Sequence, residues 1–104
     1  MPDAELRIRH STGAVIITPC IHGTHGTEPQ TLEMTLEVIK HGPHGTSRSR
    51  QQQSVRLHER QDHCSSEVRQ SLREGEQLDV RLELRRNGEL VLLREARLIG
   101  DTSI

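Results

Sequence analysis

The sequence predicts an all-β fold, an immunoglobulin-like antiparallel β-sandwich of about seven strands. Apolar residues alternate with polar residues in several short segments, and clusters of glycine, proline and asparagine separate those segments. No segment shows a helical period or an alternation of strands with helices. At 104 residues, the chain has the length of a single domain, which we expect to span residues 1–104. A five-stranded barrel is the alternative architecture.

The chain is expected to begin with a hairpin of two short strands. Apolar residues alternate with arginines over residues 6–10, a turn follows at residues 11–13, and residues 14–18 are almost entirely apolar. Pro19 is expected to end the second strand, because proline cannot donate to the hydrogen bonds of a sheet. Residues 20–30 contain glycine, proline and only one large aliphatic residue, and they are predicted to form a loop.

The clearest strand covers residues 31–40, and its period of two places one face in a core. The apolar residues on that face are Leu32, Met34, Leu36 and Val38. The segment Gly42-Pro43-His44-Gly45 then predicts a chain reversal, because glycine permits positive φ and proline fixes its own φ. The returning arm, residues 47–57, has no large apolar residue in its first part. We therefore predict that this arm lies at a sheet edge or exists for its exposed face.

The segment after this second hairpin is mostly polar. Residues 59–66 show no period and are predicted to form a loop, and residues 68–72 alternate as expected for a short strand. A turn is predicted at Glu74-Gly75-Glu76.

The last part of the chain predicts a third hairpin around Asn87-Gly88, because a type I′ turn requires positive φ at both central residues. The register counted from this turn pairs Arg86 with Glu89, Leu84 with Val91, Leu82 with Leu93 and Arg81 with Arg94. The run at residues 90–93 is apolar on both faces. The final strand is therefore expected either to lie in the middle of a sheet or to contain a bulge.

The composition limits which side chains can form the core, and it argues against a disordered or membrane-inserted chain. Phe, Tyr and Trp are absent and the hydrophobic fraction is 31%, so Leu, Ile, Val and Met must form the core. A net charge of −1 and sustained strand patterns argue against a disordered chain. No segment approaches the roughly 20 apolar residues of a membrane helix, so we expect no membrane insertion.

Histidines form two H-x-x-H pairs, His22 with His25 and His41 with His44. Neutral imidazole is a common ligand of transition metals. However, the strand at residues 31–40 would separate the two pairs by roughly 30 Å, so all four histidines are not expected to meet. We therefore predict solvated histidines in turns, and no bound metal.

Nothing in the sequence indicates catalysis. Neither Cys20 nor Cys64 lies in a catalytic motif, and Ser65 and Ser66 do not have the surroundings of a nucleophile elbow. The glycines lie between strands and do not open a helix, as they would in a phosphate-binding loop. We predict that the protein is not an enzyme and needs no cofactor.

Positive charge is concentrated in one part of the chain. Residues 39–60 carry five basic residues and one acidic residue, a charge of +4, which leaves −5 on the rest of the chain. One interpretation is a charged edge strand that discourages sheet-to-sheet aggregation. The other is a landing site for an acidic or amide-rich partner. Nucleic acid is not expected, because proteins that bind single strands usually supply aromatic stacking platforms.

The same region carries a resemblance to a known family. The run Lys40-His41-Gly42-Pro43-His44-Gly45-Thr46-Ser47, followed by a polar basic arm that reaches Gln51-Gln52, resembles the CsgC-like curli assembly chaperones, and especially their CsgH branch. The similarity extends over residues 31–98. It implies a monomeric inhibitor of curli amyloid formation, whose partner is the curli subunit. It also implies a location in the periplasm after removal of a signal peptide.

The resemblance and the local charge together indicate a client-binding site. Its predicted residues are Lys40, Arg48, Arg50, Gln51, Gln52 and Arg56. The alternative function is a non-catalytic, immunoglobulin-like interaction or adhesion module that binds its partner by strand addition.

Cys20 and Cys64 leave two alternatives open. In an oxidising compartment they would form a disulfide, which would stabilise the fold by about 4 kcal/mol in the chain-entropy model. Otherwise they are two partly buried free thiols. A redox role is not favoured, because the chain lacks the cysteine-x-cysteine pair that some members of the resembling family contain.

Overall fold

The computed structural model describes residues 3–23, 29–58 and 61–100, and these residues form eight strands in two antiparallel sheets. The strands are β1 (Asp3–Ser11), β2 (Ala14–His22), β3 (Gln30–Gly42), β4 (Gly45–Leu57), β5 (Asp62–Cys64), β6 (Val68–Ser71), β7 (Gln77–Arg86) and β8 (Glu89–Ile99). In the first sheet, β2 pairs with β1 on one side and with both β5 and β6 on the other. The second sheet has the order β4-β3-β7-β8. This arrangement confirms the predicted all-β sandwich.

The strand order follows the immunoglobulin pattern. Strands β1, β2 and β6 correspond to A, B and E of that fold, and β4, β3, β7 and β8 correspond to C′, C, F and G. No helix in the described part of the chain is long and apolar enough to span a bilayer.

The core lies between the sheets and is built from aliphatic side chains. The four alternating apolar residues of β3 are each at most 3% exposed, which confirms the strand predicted from their spacing. The largest fully buried side chains are Ile17, Ile21, Leu32, Leu57, Leu78, Leu82 and Leu84. Because burial of each such side chain contributes roughly 1.5–3 kcal/mol, these residues are the main source of stability.

The prediction that Pro19 ends the second strand is wrong, because β2 continues through it to His22. The Pro19 carbonyl accepts a hydrogen bond from the Ser65 amide at 3.0 Å, so the Pro19 backbone faces the side of β2 where β5 and β6 pair. On that side, pairing with β6 ends at Ile17 and pairing with β5 begins at Cys20. The missing N–H therefore falls between two short strands, where no ladder hydrogen bond is lost.

The prediction of a loop at residues 59–66 is wrong in part, because Asp62–Cys64 forms strand β5. This unpredicted strand raises the number of strands from about seven to eight. Its three residues pair with Cys20, Ile21 and His22 of β2, so the start of the loop predicted at residues 20–30 is also strand. Residues 24–28 and 59–60 lie outside the described part of the chain. The β5 strand has no apolar alternation, and backbone pairing with β2 defines it instead.

The hairpin at Asn87-Gly88 is confirmed, with φ of 52° and 81° at the two central residues. The predicted pair of Arg86 with Glu89 is also confirmed. Beyond it, a bulge shifts the register between Leu84 and Arg85. The observed pairs are Leu84 with Leu92, Leu82 with Arg94 and Arg81 with Glu95, so the three predicted pairs at these positions are wrong.

The bulge explains why residues 90–93 are apolar on both faces. It adds one residue to β8, which lies at the edge of the second sheet and not in its middle. After the bulge, the side chains of Leu92, Ala96 and Leu98 pack against the core. Packing of these three side chains is the physical reason for the shifted register.

Candidate functional site

Strand β4 pairs with β3 alone among the described strands, so it forms a long free edge of the second sheet. It pairs with β3 over 13 residues without a register shift, from Gly42 opposite Gly45 to Gln30 opposite Leu57. Residues 45–54 are exposed except for half-buried Ser49, and burial resumes only at Val55. The prediction of an edge strand with an exposed first part is therefore confirmed. The cause is the absence of large apolar side chains before Val55.

The two faces of β4 carry different groups. Val55 and Leu57 are buried, so the odd-numbered positions face the core side of the sheet and the even-numbered positions face outward. The outward side chains are Thr46, Arg48, Arg50, Gln52, Ser54 and Arg56. Four of the six predicted client-binding residues thus share this outer face, whereas Gln51 points to the opposite face.

Lys40 also lies apart from the arginines. It pairs with Ser47 in the register of β3 and β4, which places it on the core side of the second sheet. Its Nζ donates a hydrogen bond to Oγ of Ser71 in β6 at 2.5 Å. Lys40 therefore joins the two sheets, and the structure does not bring it together with the outward-facing arginines.

The arginines of β4 keep most of their charge available. Nε of Arg48 lies 3.7 Å from Oε2 of Glu37, and the Arg48 side chain is 66% exposed. Such an exposed ion pair contributes only about 0–1 kcal/mol, so it holds the guanidinium weakly. Among residues 3–23, 29–58 and 61–100, no carboxylate lies within 4 Å of a guanidinium nitrogen of Arg50 or Arg56.

Farther across the outer face of the second sheet, the charges neutralise one another. Glu83 forms ion pairs with Arg81 at 3.3 Å and with Arg85 at 3.2 Å. Arg97 donates to Asp79 at 3.0 Å, and this hydrogen bond lowers the pKa of the Asp79 carboxyl below its ordinary value. Among the described residues, the positive charge on this face that is weakly paired, or has no carboxylate within 4 Å, is therefore concentrated on β4.

A groove of about 250 Å³ runs along this face beside β4. It is lined by Thr35, Glu37, Arg50, Arg81, Glu83 and Arg85. Arg81 and Arg85 are far from Arg50 in sequence, so the local charge of residues 39–60 does not include them. Only the pairing of β3 with β7, which the sequence does not specify, places them on one surface.

Cys20 and Cys64 form a disulfide in the structure, with their Cα atoms 4.1 Å apart. They are directly opposite each other in β2 and β5, on the outer side of the first sheet. The bond therefore attaches the three-residue strand β5 to the sheet, on the surface away from the β4 arginines.

The histidines of the two H-x-x-H pairs lie in separate surroundings. Nδ1 of His22 lies 2.8 Å from Asp62, and Nε2 lies 3.0 Å from Glu5. The hydrogen bond with Asp62, followed by that with Glu5, raises the pKa of His22. His41 contacts Asp79 at 3.1 Å, and His25 lies outside the described residues. Within the part of the chain that the structure describes, no three His, Cys, Asp or Glu residues form a group that could hold a metal.

No protein-family model matches the sequence, and no curated protein gives a significant match. Similar solved structures exist. The solution structure of R. palustris CsgH matches with 20% identity and a TM-score of 0.63, over 95% of this chain and 92% of that one. The E. coli curli protein CsgC matches with 10% identity and a TM-score of 0.73, over 93% of this chain and 97% of that one. The chain therefore has the same fold as CsgH and CsgC.

Proposed function

We propose that this protein is a non-catalytic, chaperone-like inhibitor of curli-subunit polymerisation that acts in the periplasm through weak, electrostatically guided contacts. The observation that carries this proposal is the free edge of β4, with Arg48, Arg50 and Arg56 on one face. The shared fold supports it, since E. coli CsgC is a curli protein. The family resemblance of residues 40–52 supports it independently of the fold.

The physical basis is competition with nucleation. A cross-β fibre begins when unpaired strand edges find one another. A positively charged edge attracts an acidic chain over a distance of about one Debye length, roughly 8–10 Å. Contacts of this kind raise the encounter rate more than the affinity. A client held briefly by Arg48 and Arg50 is thereby kept from meeting a second client chain.

The second candidate function is an interaction or adhesion module that binds a partner by strand addition. The same free edge favours it, because residues 45–54 are exposed except for half-buried Ser49. The two candidates differ in their dependence on salt. Inhibition through charge weakens as ionic strength rises, whereas binding through backbone hydrogen bonds alone is much less sensitive.

The double substitution Arg48→Glu with Arg50→Glu tests the proposal. Because it turns attraction of an acidic client into repulsion, about tenfold more protein should be needed to produce the same delay of fibrillation. The measurement is the lag time of curli-subunit fibrillation, followed by thioflavin fluorescence at several protein concentrations. Raising the ionic strength should weaken the wild-type protein in the same assay.

A matched control is available on the other sheet. Arg7 and Arg9 are also two residues apart, on the outer face of edge strand β1, and their side chains are 54% and 68% exposed. The variant Arg7→Glu with Arg9→Glu changes the net charge by the same amount and should inhibit nearly as well as wild type. The assignment of the site to β4 would be contradicted if both variants lost inhibition equally, or if neither variant lost it.

A further inference from the structure

The two edges of the second sheet differ in how far they are protected. Strand β8 contains a bulge, and Arg94 connects it to β1 by donating to the Ala4 carbonyl at 3.2 Å and to Asp3 at 2.8 Å. Strand β4 has no bulge and no proline, and residues 45–54 are exposed on both faces except for half-buried Ser49. Proteins usually blunt a regular edge of this length, because it pairs readily with other chains. An edge left open in this way is suited to receive a strand.

The backbone of β4 can hydrogen-bond to such a strand. In an antiparallel ladder, alternate residues direct their N–H and C=O groups to opposite sides of the strand. Pairing with β3 uses the groups on one side only. About half of the residues in the exposed part of β4 therefore present backbone donors and acceptors that pair with no described strand.

The charges on the outer face of the second sheet indicate which residue an added fifth strand should carry beside Arg50. Across the sheet, Arg50 lies opposite Glu37, Glu37 opposite Arg81, and Arg81 opposite Glu95. The sign of the charge alternates at every step of this row. The next position, beside Arg50, would continue the alternation if it were acidic, since opposite charges on directly paired residues stabilise a sheet.

We infer that β4 binds an extended segment of its partner as an additional antiparallel strand, selected for two acidic residues two positions apart. This inference rests on the proposed function and specifies how the client is recognised. The spacing follows from the pleat of the partner strand. Its two acidic side chains both point to the outer face, opposite Arg48 and Arg50, only when one residue separates them. The acidic side chain beside Arg48 also competes with its weak contact to Glu37.

The glutamines of β4 define the rest of the segment. Gln52 lies on the outer face and Gln51 on the other face, and both are exposed. Each side-chain amide donates and accepts hydrogen bonds, so amide or hydroxyl side chains suit the opposite positions on both faces. The expected partner segment is therefore polar, acidic at alternate positions and rich in Gln, Asn, Ser or Thr.

A second copy of the same chain is a poor occupant. Strand β4 contains Arg48, Arg50 and Arg56 but no acidic residue. Two such strands side by side would bring six guanidinium groups together with no carboxylate on either strand. The charge of β4 therefore favours a different, acidic chain over self-association.

The test uses capped peptides of about ten residues, the length of a long strand, that contain Ser, Thr and Gln with two glutamates. In the first peptide, one residue separates the glutamates. In the second, which has the same composition, they are adjacent and so point to opposite faces. The third repeats the first but carries N-methyl groups on alternate backbone nitrogens, which removes its hydrogen-bond donors along one edge. Dissociation constants are measured with the whole protein by NMR titration.

The first peptide should bind about three- to tenfold more tightly than the second, and the third should bind much more weakly than the first. Binding of the first should also protect β4 amides from hydrogen exchange. Equal binding of all three peptides would overturn strand addition, yet it would leave charge-guided inhibition intact, which the fibrillation assay decides separately. Absence of binding by the first peptide, or dimerisation of the protein through β4, would also overturn the inference.

Discussion

Replacing Leu82 by alanine is expected to lower the free energy of unfolding by about 2–5 kcal/mol. Leu82 is fully buried in the middle of β7, where it lies opposite Leu36 of β3 and Arg94 of β8. A truncation at this position leaves a cavity in the middle of the core, between the two sheets. Since small domains are stable by only about 5–15 kcal/mol, this single change should remove a large share of the free energy of unfolding.

Urea denaturation followed by circular dichroism measures this effect. Leu90→Ala is the matched control, because Leu90 lies on neighbouring strand β8 with 47% of its surface exposed. Its cost should be about 0.5 kcal/mol, as for ordinary surface substitutions. Equal losses of stability in the two variants would contradict the assignment of Leu82 to the core.

Removing the disulfide is expected to have the second large effect on stability. Cys20 and Cys64 are 44 residues apart in sequence, and a bond that closes a loop of this length contributes about 4 kcal/mol in the chain-entropy model. The double variant Cys20→Ala with Cys64→Ala should therefore unfold at a much lower concentration of urea than the oxidised wild type.

A reducing agent provides the control for this prediction. Dithiothreitol should lower the unfolding midpoint of the wild type towards that of the double variant and leave the variant unchanged. A wild type whose midpoint does not respond to complete reduction would contradict a stabilising bond. A stabilising disulfide agrees with the proposed periplasmic location, because such bonds persist in oxidising compartments.

The parts of the fold that the sequence predicted correctly depend on local signals. The period of two in β3 placed four side chains in the core, and Asn87-Gly88 specified a turn that needs positive φ at two successive residues. These features are properties of adjacent residues, so they can be recognised without knowledge of the neighbouring strands.

The errors concern features that depend on pairing between distant segments. Pro19 fits within β2 only because β5 and β6 leave a gap beside it. A bulge in β8 was one of the two alternatives that the apolar run at residues 90–93 left open, but the register counted from the turn did not include it, so three predicted pairs were wrong. Strand β5 is polar and exists through its pairing with β2.

In the candidate site too, the features that depend on adjacent residues could be predicted from the sequence, and those that depend on distant segments could not. The period of two already places Arg48, Arg50 and Arg56 on one face of a strand and Gln51 on the other. The contact of Lys40 with Ser71 and the position of Arg81 in the same groove as Arg50 could not be derived in this way. They depend on how the two sheets stack and on the pairing of β3 with β7.

The most direct test of the central claim is to map the client on the surface of the protein. Amide resonances of the isotope-labelled protein are followed by NMR while unlabelled curli subunit is added, under conditions in which the subunit stays monomeric. If β4 is the client-binding edge, the largest changes should fall on residues 46–56 and on the β3 residues beside them. Changes confined to the outer face of β1 and β2, with β4 unaffected, would contradict the claim.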